Sequence, residues 1–107
     1  MINIIPTKFF ERDFAKLYKK YKSIIQDIEK LKDILQKKPR SGKSLGNSCY
    51  KIRLKNSDIN RGKSAGYRVI TYVIKDDYIY LLSIYSKGEK DTISDKEIID
   101  IIKDENL

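Results

Sequence analysis

A segment of alternating residues near the middle of the chain constrains the fold most. Between Cys49 and Lys55 every second residue is basic (Lys51, Arg53 and Lys55), and the residues between them are apolar or aromatic. Successive side chains of a β-strand point to opposite faces of the sheet, so one face of this strand would join a core while the other presents a row of cations. Such a row suits a polyanion, and nucleic acid is the first ligand to consider.

The composition excludes several classes of function. The chain has one cysteine and no histidine among 107 residues, which excludes an internal disulfide, an ordinary zinc site and histidine-based acid–base catalysis. We therefore expect no metal and no small-molecule cofactor. The length predicts a single domain spanning residues 1–107. Since the sequence has neither a long apolar run nor a signal-peptide pattern at its start, we expect a cytoplasmic protein that does not span a membrane.

The net charge is +8 but is unevenly distributed. Residues 91–107 carry six acidic and two basic side chains, so the body of the protein is basic and its tail is acidic. Arg61, Lys63 and Arg68 follow the alternating segment and add three cations around two glycines. A basic body of this kind attracts phosphate groups over about a Debye length.

Hydrophobic periodicity and capping residues predict the elements. We expect a short strand over residues 1–5, a helix over 8–20 with Thr7 as its N-cap, and a second helix after a capping box formed by Ser23 and Gln26. That helix ends at Pro39, and residues 39–48 are predicted to be a loop. Strands are expected over 50–55, 67–74 and 78–86, followed by a helix with a capping box formed by Ser94 and Glu97.

This order predicts an α+β fold. The three later strands would form an antiparallel meander, packed by an N-terminal helical hairpin and followed by a short C-terminal helix. We expect the helices to cover one face of the sheet and leave the opposite face open and basic. The joint between the helical hairpin and the sheet is also expected to form an apolar groove that could receive a partner segment.

Several motifs occur in an order and spacing that resemble the RelE/ParE toxin superfamily, and within it the HigB-like mRNA interferases. They are the strand beginning at Cys49, the basic segment Arg61–Arg68 with its Gly-Tyr-Arg ending, and the segment Ile84–Lys90. The resemblance covers nearly the whole chain. It implies the toxin of a type II toxin–antitoxin system, an endoribonuclease that cleaves mRNA in the A site of the 70S ribosome and is neutralised by a cognate antitoxin.

The resemblance also implies roles for individual residues. Lys51 and Arg53 match basic strand residues that RelE-type enzymes use for catalysis and substrate contact, and Arg68 matches an arginine aimed at the scissile phosphate. Gly88 stands where those enzymes have a further arginine, and residues 91–94 contain no tyrosine. We therefore expect Lys87 and Lys90 to substitute.

The residue types fit metal-independent RNA cleavage by attack of the ribose 2′-OH on the adjacent phosphate. Arginine is permanently charged and binds two phosphate oxygens at once, which suits Arg68, with Arg61 in support, to stabilising the transition state. A lysine among like charges is a candidate acid or base, because neighbouring cations disfavour its protonated form. The catalytic candidates are Arg68, Lys51, Arg61, Lys63 and Lys87, and the RNA-binding candidates are Arg53, Lys55, Tyr85 and Lys90.

Two other functions are compatible with the sequence. The first is a ParE-like toxin that inhibits DNA gyrase without nuclease activity, because fold alone does not determine function. The second is a basic RNA-binding domain that lacks catalysis, whose binding would depend steeply on salt. A gyrase inhibitor has no need for Lys51, Arg53 and Arg68 to lie together, so their placement bears on the choice.

Overall fold

The computed structural model describes residues 1–59, 62, 65–75, 77–90 and 92–107. Its elements are β1 (Asn3–Pro6), α1 (Lys8–Lys20), α2 (Ile24–Lys37), β2 (Lys43–Gly46), β3 (Cys49–Leu54), β4 (Tyr67–Ile74), β5 (Tyr78–Ser86) and α3 (Asp95–Asp104). None of the described helices is long and apolar enough to cross a membrane.

One five-stranded sheet organises the molecule, in the order β1-β5-β4-β3-β2. Strands β2 to β5 pair antiparallel with their neighbours in sequence, as the predicted meander requires. The edge strand β1 pairs with β5 in parallel, which makes the sheet mixed. The α+β prediction is confirmed.

All three helices begin where the sequence predicted, and the predicted cap hydrogen bonds form at two of the three starts. Thr7 accepts a hydrogen bond from the backbone N–H of Phe10, and Ser94 forms a complete capping box with Glu97. The predicted capping box at Ser23 is wrong. Its ψ of 2° lies outside the extended range of an N-cap, and its side chain makes no cap hydrogen bond. The backbone N–H of Ser23 instead donates to Asp58 at 2.8 Å, which ties the start of α2 to the segment after β3.

The prediction of a loop over residues 39–48 is wrong for Lys43–Gly46, which forms β2. This strand pairs with β3, and Gly46 lies opposite Cys49, so the connection consists of two residues. Both of them, Asn47 and Ser48, have positive φ angles, of 52° and 63°. Positive φ at both central residues is the geometry of a type I′ hairpin turn, whose twist matches that of the flanking strands.

The two faces of the sheet carry different layers. The α1–α2 hairpin covers one face over a core that includes Ile52, Val69 and Ile84. Helix α3 packs on the opposite face, where Ile98 and Ile101 join Ile70 and Leu82. The expectation that this second face would be wholly open is therefore wrong. Isoleucines at helical spacing in α3 cover one part of it and leave the end of the sheet near Arg53 uncovered.

Candidate nucleic-acid site

Strand register brings three candidate residues into one row across the sheet. Arg53 of β3 lies opposite Arg68 of β4, which in turn lies opposite Tyr85 of β5. The row is on the face that α3 partly covers, because the neighbouring residues on each strand belong to the core under the helical hairpin. We call Arg53, Arg68 and Tyr85 the central row.

A second row lies two residues away on the same face. Lys43 of β2 pairs with Lys51 of β3, and Lys51 lies opposite Ile70 of β4. Residues two apart on a strand are separated by roughly 7 Å. We call Lys43 and Lys51 the lysine pair. The two rows place four cations on adjacent positions of one surface.

An open cleft of about 550 Å³ is lined by residues of both rows and also by Ile34 of α2 and Ile52 of β3. Five of the residues that line it are cationic: Lys43, Lys51, Arg53, Arg68 and Lys87. Four of these were predicted from the sequence as catalytic or RNA-binding residues. The cleft therefore concentrates positive charge in a concave surface, where low-dielectric walls strengthen the attraction of an anion.

Arg68 lies at the base of the cleft with only 5% of its surface exposed. One guanidinium nitrogen donates to the backbone carbonyl of Tyr67 at 3.2 Å, which fixes the orientation of the side chain. A guanidinium removed from water interacts more strongly with a bound anion than an exposed one does, since less water screens it. This placement suits a single, well-oriented phosphate contact.

Tyr85 is the neutral member of the central row. The residue is 7% exposed, and among the described residues its hydroxyl has no hydrogen-bond partner. An unsatisfied buried hydroxyl is costly, and such groups in native proteins call for an explanation. Tyr85 packs in the core cluster that includes Ile98 and Ile101 of α3, and it does not line the cleft.

The backbone of Lys87 is fixed at the end of the cleft by β4. Its N–H donates to the carbonyl of Gly66 at 3.0 Å and extends the β4–β5 ladder by one residue. Gly66 itself lies against β3 so closely that a Cβ atom there would overlap the carbonyl oxygen of Leu54. Glycine is thus required for the close approach that brings Lys87 beside the central row.

Within the described part of the chain, three predicted residues do not line the cleft: Lys55, Tyr85 and Lys90. Lys55 is exposed beyond the end of β3 and does not line it. Lys90 bonds to Glu97 of α3 at 2.8 Å, and this contact lowers the pKa of the Glu97 carboxyl. Arg61 and Lys63 lie outside the described residues.

Lys43 is the cationic residue of the cleft that the sequence analysis did not identify. It was assigned to a loop, so nothing predicted which way its side chain would point. The signal that could have placed it is Asn47, because asparagine tolerates positive φ and marks tight hairpin turns. Gly42 then sets the approach of β2 to β3: its φ is +98°, and a Cβ atom there would lie 2.5 Å from the carbonyl oxygen of Lys51.

Comparisons with known proteins bear on both the fold and the family. A family model described as the ParE toxin of the type II toxin–antitoxin system parDE matches residues 4–90. Among solved structures, a doubly substituted mutant of the E. coli toxin RelE in the free state matches with a TM-score of 0.60 and 19% identity, covering 96% of each chain. No curated protein sequence matches the chain.

Proposed function

The chain belongs to the ParE toxin family of type II toxin–antitoxin systems, and we propose that it inhibits translation as a ribosome-dependent mRNA endonuclease. The observation that carries this proposal is the buried guanidinium of Arg68 at the base of a cleft lined by four further cations. This arrangement supports binding and polarising a backbone phosphate. A surface that only docks on another protein has no evident need for it.

In the proposed reaction the ribose 2′-OH attacks the adjacent phosphorus. The new 2′-O–P bond forms as the bond from phosphorus to the 5′-oxygen breaks, leaving a cyclic phosphate and a 5′-hydroxyl. Arg68 stabilises the extra negative charge of the transition state, with Arg53 beside it. No metal is required, because the arginines supply the positive charge.

Two protons must move in this reaction. One leaves the 2′-OH, and one is delivered to the departing 5′-oxygen. Lys51 and Lys87 both line the cleft, and they are the proposed proton-transfer groups. Tyr85, whose buried hydroxyl has no hydrogen-bond partner among the described residues, stays a predicted RNA contact. Arg61 and Lys63 stay predictions from the sequence.

The partners follow from the family and from the proposed chemistry. Membership of a type II toxin family implies a cognate antitoxin, and A-site cleavage requires the ribosome and its mRNA. The groove predicted between the helical hairpin and the sheet corresponds to a cavity of about 280 Å³. Its apolar lining includes Phe10, Phe14, Ile28 and Leu81, and an antitoxin segment remains its predicted occupant.

The proposal is tested by adding the purified protein to a cell-free translation reaction and mapping new mRNA 5′ ends by primer extension. Arg68→Ala should reduce cleavage by about 10²–10³-fold, the usual loss for one donor to transition-state charge. Lys30→Ala, which removes an exposed cation of α2, is the matched control and should cleave normally. The mRNA should stay intact without ribosomes. Cleavage by Arg68→Ala at the wild-type rate would contradict the proposed role.

A second candidate function is inhibition of DNA gyrase without RNA cleavage. The observation that favours it is the description of the matching family model, which names ParE. A supercoiling assay with purified gyrase decides between the two. Inhibition of supercoiling together with intact mRNA would replace the nuclease proposal, whereas cleaved mRNA with normal supercoiling would support it.

A further inference from the structure

The lysine pair is an unusual feature of the sheet. Side chains directly opposite each other on antiparallel strands lie roughly 5 Å apart at their Cβ atoms, and like charges in such positions are destabilising. Lys43 and Lys51 occupy these positions. Neither forms an ion pair with a carboxylate of the described residues. The repulsion would be relieved by an anion bound between the two ammonium groups.

The position of the pair relative to the central row indicates which anion. The lysine pair lines the same cleft as Arg53 and Arg68. Lys51 and Arg53 are roughly 7 Å apart along β3. This distance is close to the spacing of consecutive phosphates in an extended single strand. We propose that Lys43 is a substrate-positioning residue that, together with Lys51, binds the phosphate next to the one held by Arg53 and Arg68. The ligand class is single-stranded RNA in an extended conformation. This inference rests on the proposed function and deepens it.

The chain geometry around Lys43 supports this role. Gly42 brings β2 against the backbone of Lys51, and the two-residue turn at Asn47 fixes the register of the hairpin. Lys43 is therefore held by backbone pairing, although its side chain is exposed. A positioning group on an edge strand can reach a ligand without entering the core. The reacting phosphate stays at the buried Arg68.

The test measures binding separately from cleavage. The probe is a fluorescent single-stranded oligoribonucleotide with 2′-O-methyl groups, which cannot be cleaved because it lacks the attacking hydroxyl. Lys43→Ala should weaken binding by about tenfold, the effect of one lost hydrogen bond to a charged group. It should also reduce the slope of log affinity against log salt by about 0.7 if the phosphate contact is lost. Lys43→Arg should restore binding, and Lys30→Ala should behave as wild type.

A second measurement assigns the contact to one phosphate. Neutral methylphosphonates are placed in turn at each position of the probe. At the position held by the lysine pair, the substitution should weaken binding to the wild type more than binding to Lys43→Ala, in which only the Lys51 contact with that phosphate is left to lose. Independent, additive effects at every position would overturn the assignment.

Other outcomes are equally decisive. Equal binding of wild type and Lys43→Ala, absence of binding by the wild type, or equal binding of a duplex of the same length would each overturn the inference. The cleavage assay separates it from the proposed function. Normal cleavage with no effect of Lys43→Ala rejects only the inference, whereas phosphate-specific binding without cleavage rejects only the nuclease.

Discussion

The two faces of the sheet meet at adjacent residues and have opposite chemistry. Ile52, Val69 and Ile84 form a row under the helical hairpin, with 6%, 0% and 1% of their surfaces exposed. The central row, one residue along each strand, carries two guanidinium groups and a tyrosine on the other face. Because the side chains of a strand alternate, the same backbone forms both the wall of the core and the wall of the site.

On each of these strands, a residue expected to affect stability is therefore next to a residue expected to affect function. Substitutions under the hairpin remove apolar contacts from a close-packed interior. In the central row, substitution of Arg53 changes an exposed surface, whereas Arg68 and Tyr85 are buried. The row of Ile52, Val69 and Ile84 and the central row therefore serve as controls for each other. They lie on the same strands, one residue apart.

The largest expected effect comes from comparing Ile84→Ala with Arg53→Ala. Ile84→Ala should lower the free energy of unfolding by about 2–5 kcal/mol, because it leaves a cavity in the core. Arg53 is exposed, so Arg53→Ala should change it by less than about 0.5 kcal/mol. Urea denaturation measures both values.

In the cleavage assay, Arg53→Ala should have the larger effect and Ile84→Ala the smaller one. Per folded molecule, Ile84→Ala should cleave as the wild type does, while Arg53→Ala should lose about tenfold through its contact with the phosphate. A large loss of stability in Arg53→Ala would mean that the central row is part of the core. Loss of cleavage in fully folded Ile84→Ala would mean that the two faces are coupled.

Two tyrosines sharpen the comparison further. Tyr67 lies under the hairpin and Tyr85 lies in the central row, and among the described residues neither hydroxyl has a hydrogen-bond partner. Tyr67→Phe should raise the free energy of unfolding by about 1 kcal/mol and leave cleavage unchanged, because it removes an unsatisfied buried group. Tyr85→Phe should be stabilising for the same reason but reduce cleavage. Equal cleavage by both variants would show that the Tyr85 hydroxyl does not contact the substrate.

The Tyr67 hydroxyl also predicts a pH dependence. Burial raises its pKa well above the ordinary value of 10.0, and the nearby carboxylates of Asp27 and Asp58 raise it further. A group whose pKa is raised by folding stabilises the protein fully below its unfolded pKa and progressively less above it. The stability advantage of Tyr67→Phe over the wild type should therefore grow above pH 10. A constant difference between pH 8 and 11 would mean that Tyr67 is not shielded from water.

The sequence predicted most of the fold because its strongest signals are local. Alternation identified β3, and the capping residues Thr7 and Ser94 located two helix starts. The hairpin of β2 was missed for a physical reason: Lys43–Gly46 has little apolar side-chain surface, and backbone pairing together with two residues of positive φ holds it. Four of the five cationic residues that line the cleft were predicted from the sequence. The alternating pattern predicted Lys51 and Arg53. The register that places Lys43 opposite Lys51 depends on strand pairing, which local sequence does not determine.

The smallest expected effect concerns the part of the second face that α3 covers. The Lys90 ammonium lowers the pKa of Glu97, helped by the backbone N–H of Ser94. Glutamine can replace glutamate in a capping box, so Glu97→Gln removes only the ion pair. For this exposed pair we expect a loss of about 0.5 kcal/mol in the free energy of unfolding at pH 7.

The acid dependence of this loss distinguishes the ion pair from packing. A carboxyl whose pKa is lowered by folding contributes stability above its unfolded value of 4.5, and the contribution disappears as the pH falls through the lower folded value. The difference between wild type and Glu97→Gln should therefore be constant from pH 7 to 5 and shrink below pH 4.5. Asp33→Asn, which removes an exposed carboxylate of α2, is the matched control for the loss of one surface charge. If the difference in the free energy of unfolding persisted in acid, Glu97 would support α3 by packing and not by its charge. The part of the second face under α3 would then be stabilised by packing, as the face under the helical hairpin is.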